Sequence, residues 1–127
     1  MNKKNEVGNE CQIQSLYLRL SDIYDRIRRE RRIEVFGTLD FEVVGNIDGK
    51  KYRIAKLKGN KILVNVNARR LPKNALRYII AHEIAHTLTK RHTKRFWKVV
   101  EAIYPNFETG QDLLIKRGSQ LQLGKAT

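Results

Sequence analysis

The sequence predicts an α+β domain, with helices packed around a small antiparallel sheet. Three patterns predict it. Apolar residues recur every three or four positions near the N-terminus, alternate with polar ones through the middle, and return to helical spacing in the second half.

Residues 1–10 are polar and read as an arm. Ile13, Leu16, Tyr17, Leu20, Ile23, Tyr24 and Ile27 then form the stripe of an amphipathic helix that ends near Arg32 in a basic run. Leu39, Phe41 and Val43 alternate with Asp40 and Glu42, as in a half-buried strand. Asp48-Gly49 suits a tight hairpin turn, a second strand is expected over 51–57, and Gly59-Asn60 suits another turn. Ile62, Val64 and Val66 make one face of a third strand, with Leu63, Asn65 and Asn67 on the other. Three antiparallel strands follow from this pattern, but not their spatial order.

Pro72 stands where a helix can begin, since a first-turn residue needs no N–H partner. A helix is expected from 74 to about 88, and another from about 93 to 104, stopped by Pro105. A short last helix is expected over 112–116. One domain therefore spans 11–117, between the arm and a flexible tail at 118–127.

Composition narrows the class. At 127 residues and 41% apolar content the chain suits one globular domain. No apolar run approaches the ~18–20 residues that cross a bilayer, so no membrane partner is expected. The polar start carries no secretory leader and Cys11 is the single cysteine, which together point to the cytoplasm. Cys11 itself reads as a helix-start residue. The formal charge is +13, and residues 49–98 hold 15 Lys or Arg against one carboxylate, Glu83. Such a surface either keeps a small domain soluble or attracts nucleic acid or acidic polypeptide.

His82-Glu83-Ile84-Ala85-His86 is an H-E-x-x-H motif within the expected helix. Residues four apart share a helix face, so His82 and His86 can reach one metal ion together. Glu83, beside the first ligand, can face a water on zinc; the metal lowers that water's pKa to about 7 and the glutamate takes its proton. The chemistry suits attack on an amide carbonyl, with the same glutamate passing the proton to the leaving amine. H-E-x-x-H alone also occurs on ordinary helices. A third ligand is needed, and His92 is the only other histidine. In an unbroken helix it would lie ~15 Å along the axis from His82, so the chain must turn between about 88 and 91. Glu101 on the next helix is the alternative third ligand, or a residue that orients an imidazole.

The His92 spacing is that of the metzincins, but their glycine falls at Thr89 here, residues 60–109 contain no glycine, and Met1 leaves no Met-turn. Phe96 and Trp97 read as packing beside the metal helix, with substrate gripping as the other reading. Tyr52, Tyr78 and Tyr104 are each candidates for stabilising an oxyanion.

The run from Ala81 to His86, followed by His92-Thr-Lys-Arg-Phe-Trp97, resembles the YgjP-like metallopeptidases of the zincin group. Glu101, the segment Pro105-Asn106-Phe107 and the strand from Asn60 to Asn65 also resemble elements of that family, over about residues 50–116. The family's Trp-Gly-Ser-Cys-type element is replaced here by the stretch from Tyr52 to Leu57. The resemblance implies a minimal zincin-like fold, a zinc ion on His82, His86 and His92, Glu83 as catalytic base, and a peptide or protein substrate. SprT-like proteases, which act on proteins attached to DNA, are related in pattern but place their third histidine further on. That kinship makes nucleic-acid-associated proteins a candidate substrate class. The rival expectation is a non-catalytic, basic nucleic-acid-binding accessory protein with a structural or regulatory zinc.

Overall fold

Residues 10–31 and 39–123 are described by the computed structural model, and run helix, three strands, a 3-10 turn and three further helices. Helix α1 (Glu10–Arg31) buries Leu16, Leu20, Ile23, Tyr24 and Ile27 of the expected stripe, while Ile13 and Tyr17 at its edge are half-buried. Leu16, Leu20 and Ile27 are fully enclosed, each worth ~1.5–3 kcal/mol of transfer free energy. Edge-on contact between Tyr24 and Phe41 (5.7 Å) and a hydrogen bond from Tyr17 Oη to Asp40 Oδ1 (2.9 Å) fasten α1 to the first strand.

Strands β1 (Asp40–Val44), β2 (Ala55–Lys58) and β3 (Lys61–Asn65) form one sheet in the order β1-β3-β2. Here the structure departs from the antiparallel expectation. β2 and β3 are an antiparallel hairpin across Gly59, but β1 pairs with β3 in parallel, Phe41 opposite Ile62 and Val43 opposite Val64. The expected turn at Asp48-Gly49 forms, with both residues at positive φ (54° and 76°), yet it closes only an isolated bridge from Ile47 to Lys50. Competition for the centre explains this. β3 brings Ile62 and Val64, both fully buried, whereas β2 carries Lys56 and Lys58, which an edge tolerates.

At the end of β3, Asn65 is buried and fully used. Its Nδ2 donates to the carbonyls of Lys51 (2.7 Å) and Arg53 (3.0 Å), and its Oδ1 accepts from Asn67 N (2.9 Å), capping a 3-10 turn (Val66–Arg70). The Arg19 guanidinium donates to the carbonyls of Arg69 and Leu71, setting this turn against α1. Pro72 then caps helix α2 (Lys73–Ala85), which is followed by α3 (Lys94–Ile103) and α4 (Phe107–Gln120). Every residue of α2 from Tyr78 to Ala85 is buried, as befits a helix enclosed on several sides.

α4 is longer than the short helix expected over 112–116, and Leu123 beyond it is buried, so residues 118–123 are not loose. Gly110 is what lets α4 approach α2. A Cβ there would stand 2.5 Å from the Asn74 carbonyl oxygen and 2.8 Å from Tyr78 Cβ. The first nine residues of the expected arm and the last four of the expected tail lie outside the described residues.

Candidate metal centre

The centre is built where α2 ends. Its final turn tightens: His86 N donates toward both His82 and Glu83 carbonyls, Thr87 N to Ile84 O, and Leu88 N to Ala85 O. The Thr87 hydroxyl also donates to the same Ile84 carbonyl at 2.6 Å, further occupying an acceptor that a longer helix would use. The helix thus stops at Ala85, a turn before the expected end, and the non-helical stretch from 86 to 93 includes the turn expected between about 88 and 91. Among the described residues none from 86 to 93 has positive φ, so a glycine at position 89 is unnecessary. Thr93 caps α3 by accepting from Phe96 N (3.4 Å), and this starts the return that carries His92 back.

His82, His86 and His92 meet. One ring nitrogen from each lies within 4.8 Å of the others, an arrangement that could hold a metal ion. The ~3.4 Å ligand-to-ligand edge of a tetrahedral zinc site is tighter, by an amount side-chain torsions absorb. Ring centroids stand 4.9 Å apart for His82–His86 and His86–His92, and 5.2 Å for His82–His92. Phe96, fully buried, lies against all three at 5.0, 4.7 and 4.8 Å, and so forms the floor of the cluster. His82 is buried, His86 half-buried and His92 exposed, so the cluster opens to solvent on the His92 side.

The protonation states suit a cation. Burial lowers His82 to about 4, and His92 is lowered by burial and by its two histidine neighbours, so both are neutral near pH 7. His86 Nδ1 faces the Thr89 carbonyl at 3.2 Å and can only donate to it, which in the neutral ring leaves the lone pair on Nε2. That Nε2 is buried without a protein hydrogen-bond partner. A buried, unpartnered imidazole lone pair beside two neutral imidazoles is what a zinc ligand set requires.

Glu83 is fully buried, with Oε2 3.4 Å from His82 Nδ1. Glu101 is exposed on α3 and stands outside the histidine cluster, so the geometry does not support it as a ligand. Of the three tyrosines, Tyr52 is exposed and Tyr104 packs under the Arg77 guanidinium. Tyr78 lies 5.7 Å from His82, but its hydroxyl is buried and accepts from Gln111 Nε2 (3.3 Å), bracing α4 against α2. Trp97 stacks on Phe107 (5.8 Å) and lines the His92 side. The Thr89 carbonyl leaves no signature in a pattern of side chains, and the Tyr78–Gln111 pair joins residues too far apart in the chain for local spacing to mark it.

The model of the YgjP-like metallopeptidase domain matches residues 50–117, more than half of the chain. Among solved structures, the fold is similar to that of the metallopeptidase zymogen of Pyrococcus abyssi abylysin. The TM-score is 0.61 at 22% identity, over 83% of this chain and 97% of that one. Comparison with curated proteins finds no match.

Proposed function

Because the chain belongs to the YgjP-like metallopeptidase family, we propose that it hydrolyses peptide bonds at a zinc ion held by His82, His86 and His92, with Glu83 as general base. The observation that carries this reading is the convergence of three imidazoles, one ring nitrogen of each within 4.8 Å of the others, with Nε2 of His86 buried and unpartnered. When bound, zinc would polarise the scissile carbonyl and bring the pKa of a water to about 7.

The chain's own groups would do the rest. The Thr89 carbonyl holds the His86 ring in its ligating tautomer, and Phe96 keeps the inner side of the cluster dry. Glu83, rigid on a fully buried turn, accepts a proton at its carboxylate from the attacking water and returns it to the leaving amine. The outer edge of β2, a strand that packs against α2, suits an extended peptide that adds to the sheet. The net charge of +13 supports nucleic-acid-associated proteins as the substrate class.

The rival reading is a closed structural zinc in a binding protein. Structural zinc takes four protein ligands, and among the described residues no fourth His, Cys, Asp or Glu joins the cluster, which favours an open catalytic position. The test pairs metal analysis with one substitution. Protein purified without chelator should carry about one zinc per chain. Glu83→Gln should retain it while losing at least ~10²-fold in turnover of an unfolded protein substrate. Retained turnover would remove Glu83 from the chemistry, and failure to take up zinc would remove the metal reading.

A further inference from the structure

We propose that the His92 loop and the outer face of α3 form a docking band for a nucleic-acid backbone, running from the metal centre toward the end of α1. Lys90, Arg91, Lys94, Arg95 and Lys98 are all exposed, and no carboxylate lies between Glu83 and Glu101 in the sequence. Among the described residues none of the five forms an ion pair.

The contrast with the sheet is sharp. There Arg53 and Lys56 share Asp48 (2.9 and 2.8 Å), and Lys61 meets Glu42 (3.3 Å). Much of the sheet's charge is thus answered locally, whereas the charge beside His92 is not. The N-terminal end of α3 adds partial positive charge of its own in the same place.

The band is also long. Arg95, Lys98 and Ala102 follow at helical spacing along one stripe of α3. At its far end Arg31 Nε donates to the Ala102 carbonyl (2.8 Å), bringing up the last turn of α1 with Arg28, Arg29 and Arg31. From Lys94 to Ala102 the axis covers ~12 Å. Only Glu101 interrupts the sign on α3. A single acidic side chain would use one or two of these cations. A row of this length fits a chain that carries a charge on every residue, as a nucleic-acid strand does. That proteins held on such a strand are what the centre cuts rests on the peptidase reading; the docking itself does not need turnover.

The experiment titrates a labelled oligothymidylate into zinc-loaded Glu83→Gln protein at several salt concentrations, following anisotropy. Contacts from the five exposed cations predict a slope of about −3.5 in log K against log salt, at ~0.7 per phosphate. Arg95→Glu combined with Lys98→Glu should weaken binding more than tenfold and make the slope shallower by about 1.4. Lys58→Glu combined with Lys61→Glu changes the net charge equally and should weaken it far less. All four positions are exposed, and unchanged zinc content and circular dichroism would verify the fold of each variant. The proposal falls if both pairs weaken binding alike, or if nothing tighter than ~10⁻⁴ M is seen at low salt. It also falls if a polyglutamate peptide competes as well as unlabelled oligonucleotide, which would make the band a site for acidic polypeptides. Absent peptidase activity in the zinc-loaded parent protein, with intact, band-dependent binding, would sink the peptidase reading alone.

Discussion

Acidification of the metal-free chain should cost stability through His82, and the size of the cost follows from its burial. Its folded-state pKa is about 4 against an ordinary 6.5, because an imidazolium enclosed beside Phe96 and α2 would lose its hydration. The folded value is the lower one, so the unfolded chain takes up the proton first. The contribution is therefore fully present above about pH 6.5 and drains away as pH falls toward 4. Between pH 7.5 and 5 the linkage amounts to about 2 kcal/mol, rising to about 3 kcal/mol below pH 4. His92, lowered in the same direction, adds to it. The assay is urea unfolding of chelator-treated protein at a series of pH values, beside His82→Gln, which cannot titrate. If the two proteins lose the same stability between pH 7.5 and 5, His82 is not held neutral by burial and the reasoning fails. Zinc should steepen the dependence in the parent, since protons and metal compete for the same lone pairs.

Two further outcomes follow from particular contacts. His92→Ala, at an exposed position, should leave the fold intact yet weaken zinc binding by more than the ~10–100-fold that loss of a supporting hydrogen bond costs; unchanged affinity in a competition titration would mean another group completes the site. Gly110→Ala should destabilise by about 1–3 kcal/mol in chemical denaturation, because the new methyl meets the Asn74 carbonyl and Tyr78, and the backbone cannot yield cheaply. Alanine normally stabilises a helix by about 0.5–1 kcal/mol over glycine, so a more stable variant would show that the α2–α4 contact is not close.

What the sequence determined by itself is what local periodicity and residue chemistry encode. The stripe from Leu16 to Ile27, the turn at Asp48-Gly49, the Thr93 start of α3 and the H-E-x-x-H spacing on a helix were legible because each depends on neighbours within a turn or two. The need for a third ligand could be read as well, since two imidazoles four apart cannot complete a zinc site. The tertiary structure decided what depends on competition between distant segments. β3 displaced β2 from beside β1 because the centre of a sheet goes to the strand with most apolar surface to bury, and no single strand's pattern records its rivals. The helix stopped at Ala85 because Thr87 and the tightened turn took up its last carbonyls, a matter of hydrogen-bond geometry for which no glycine or proline stands as a marker. The pairing of Asp48 with Arg53 and Lys56, and of Glu42 with Lys61, decided which cations stay unanswered. Net charge is a sum over the chain, but a field is set by where the chain's folding leaves each charge without its partner.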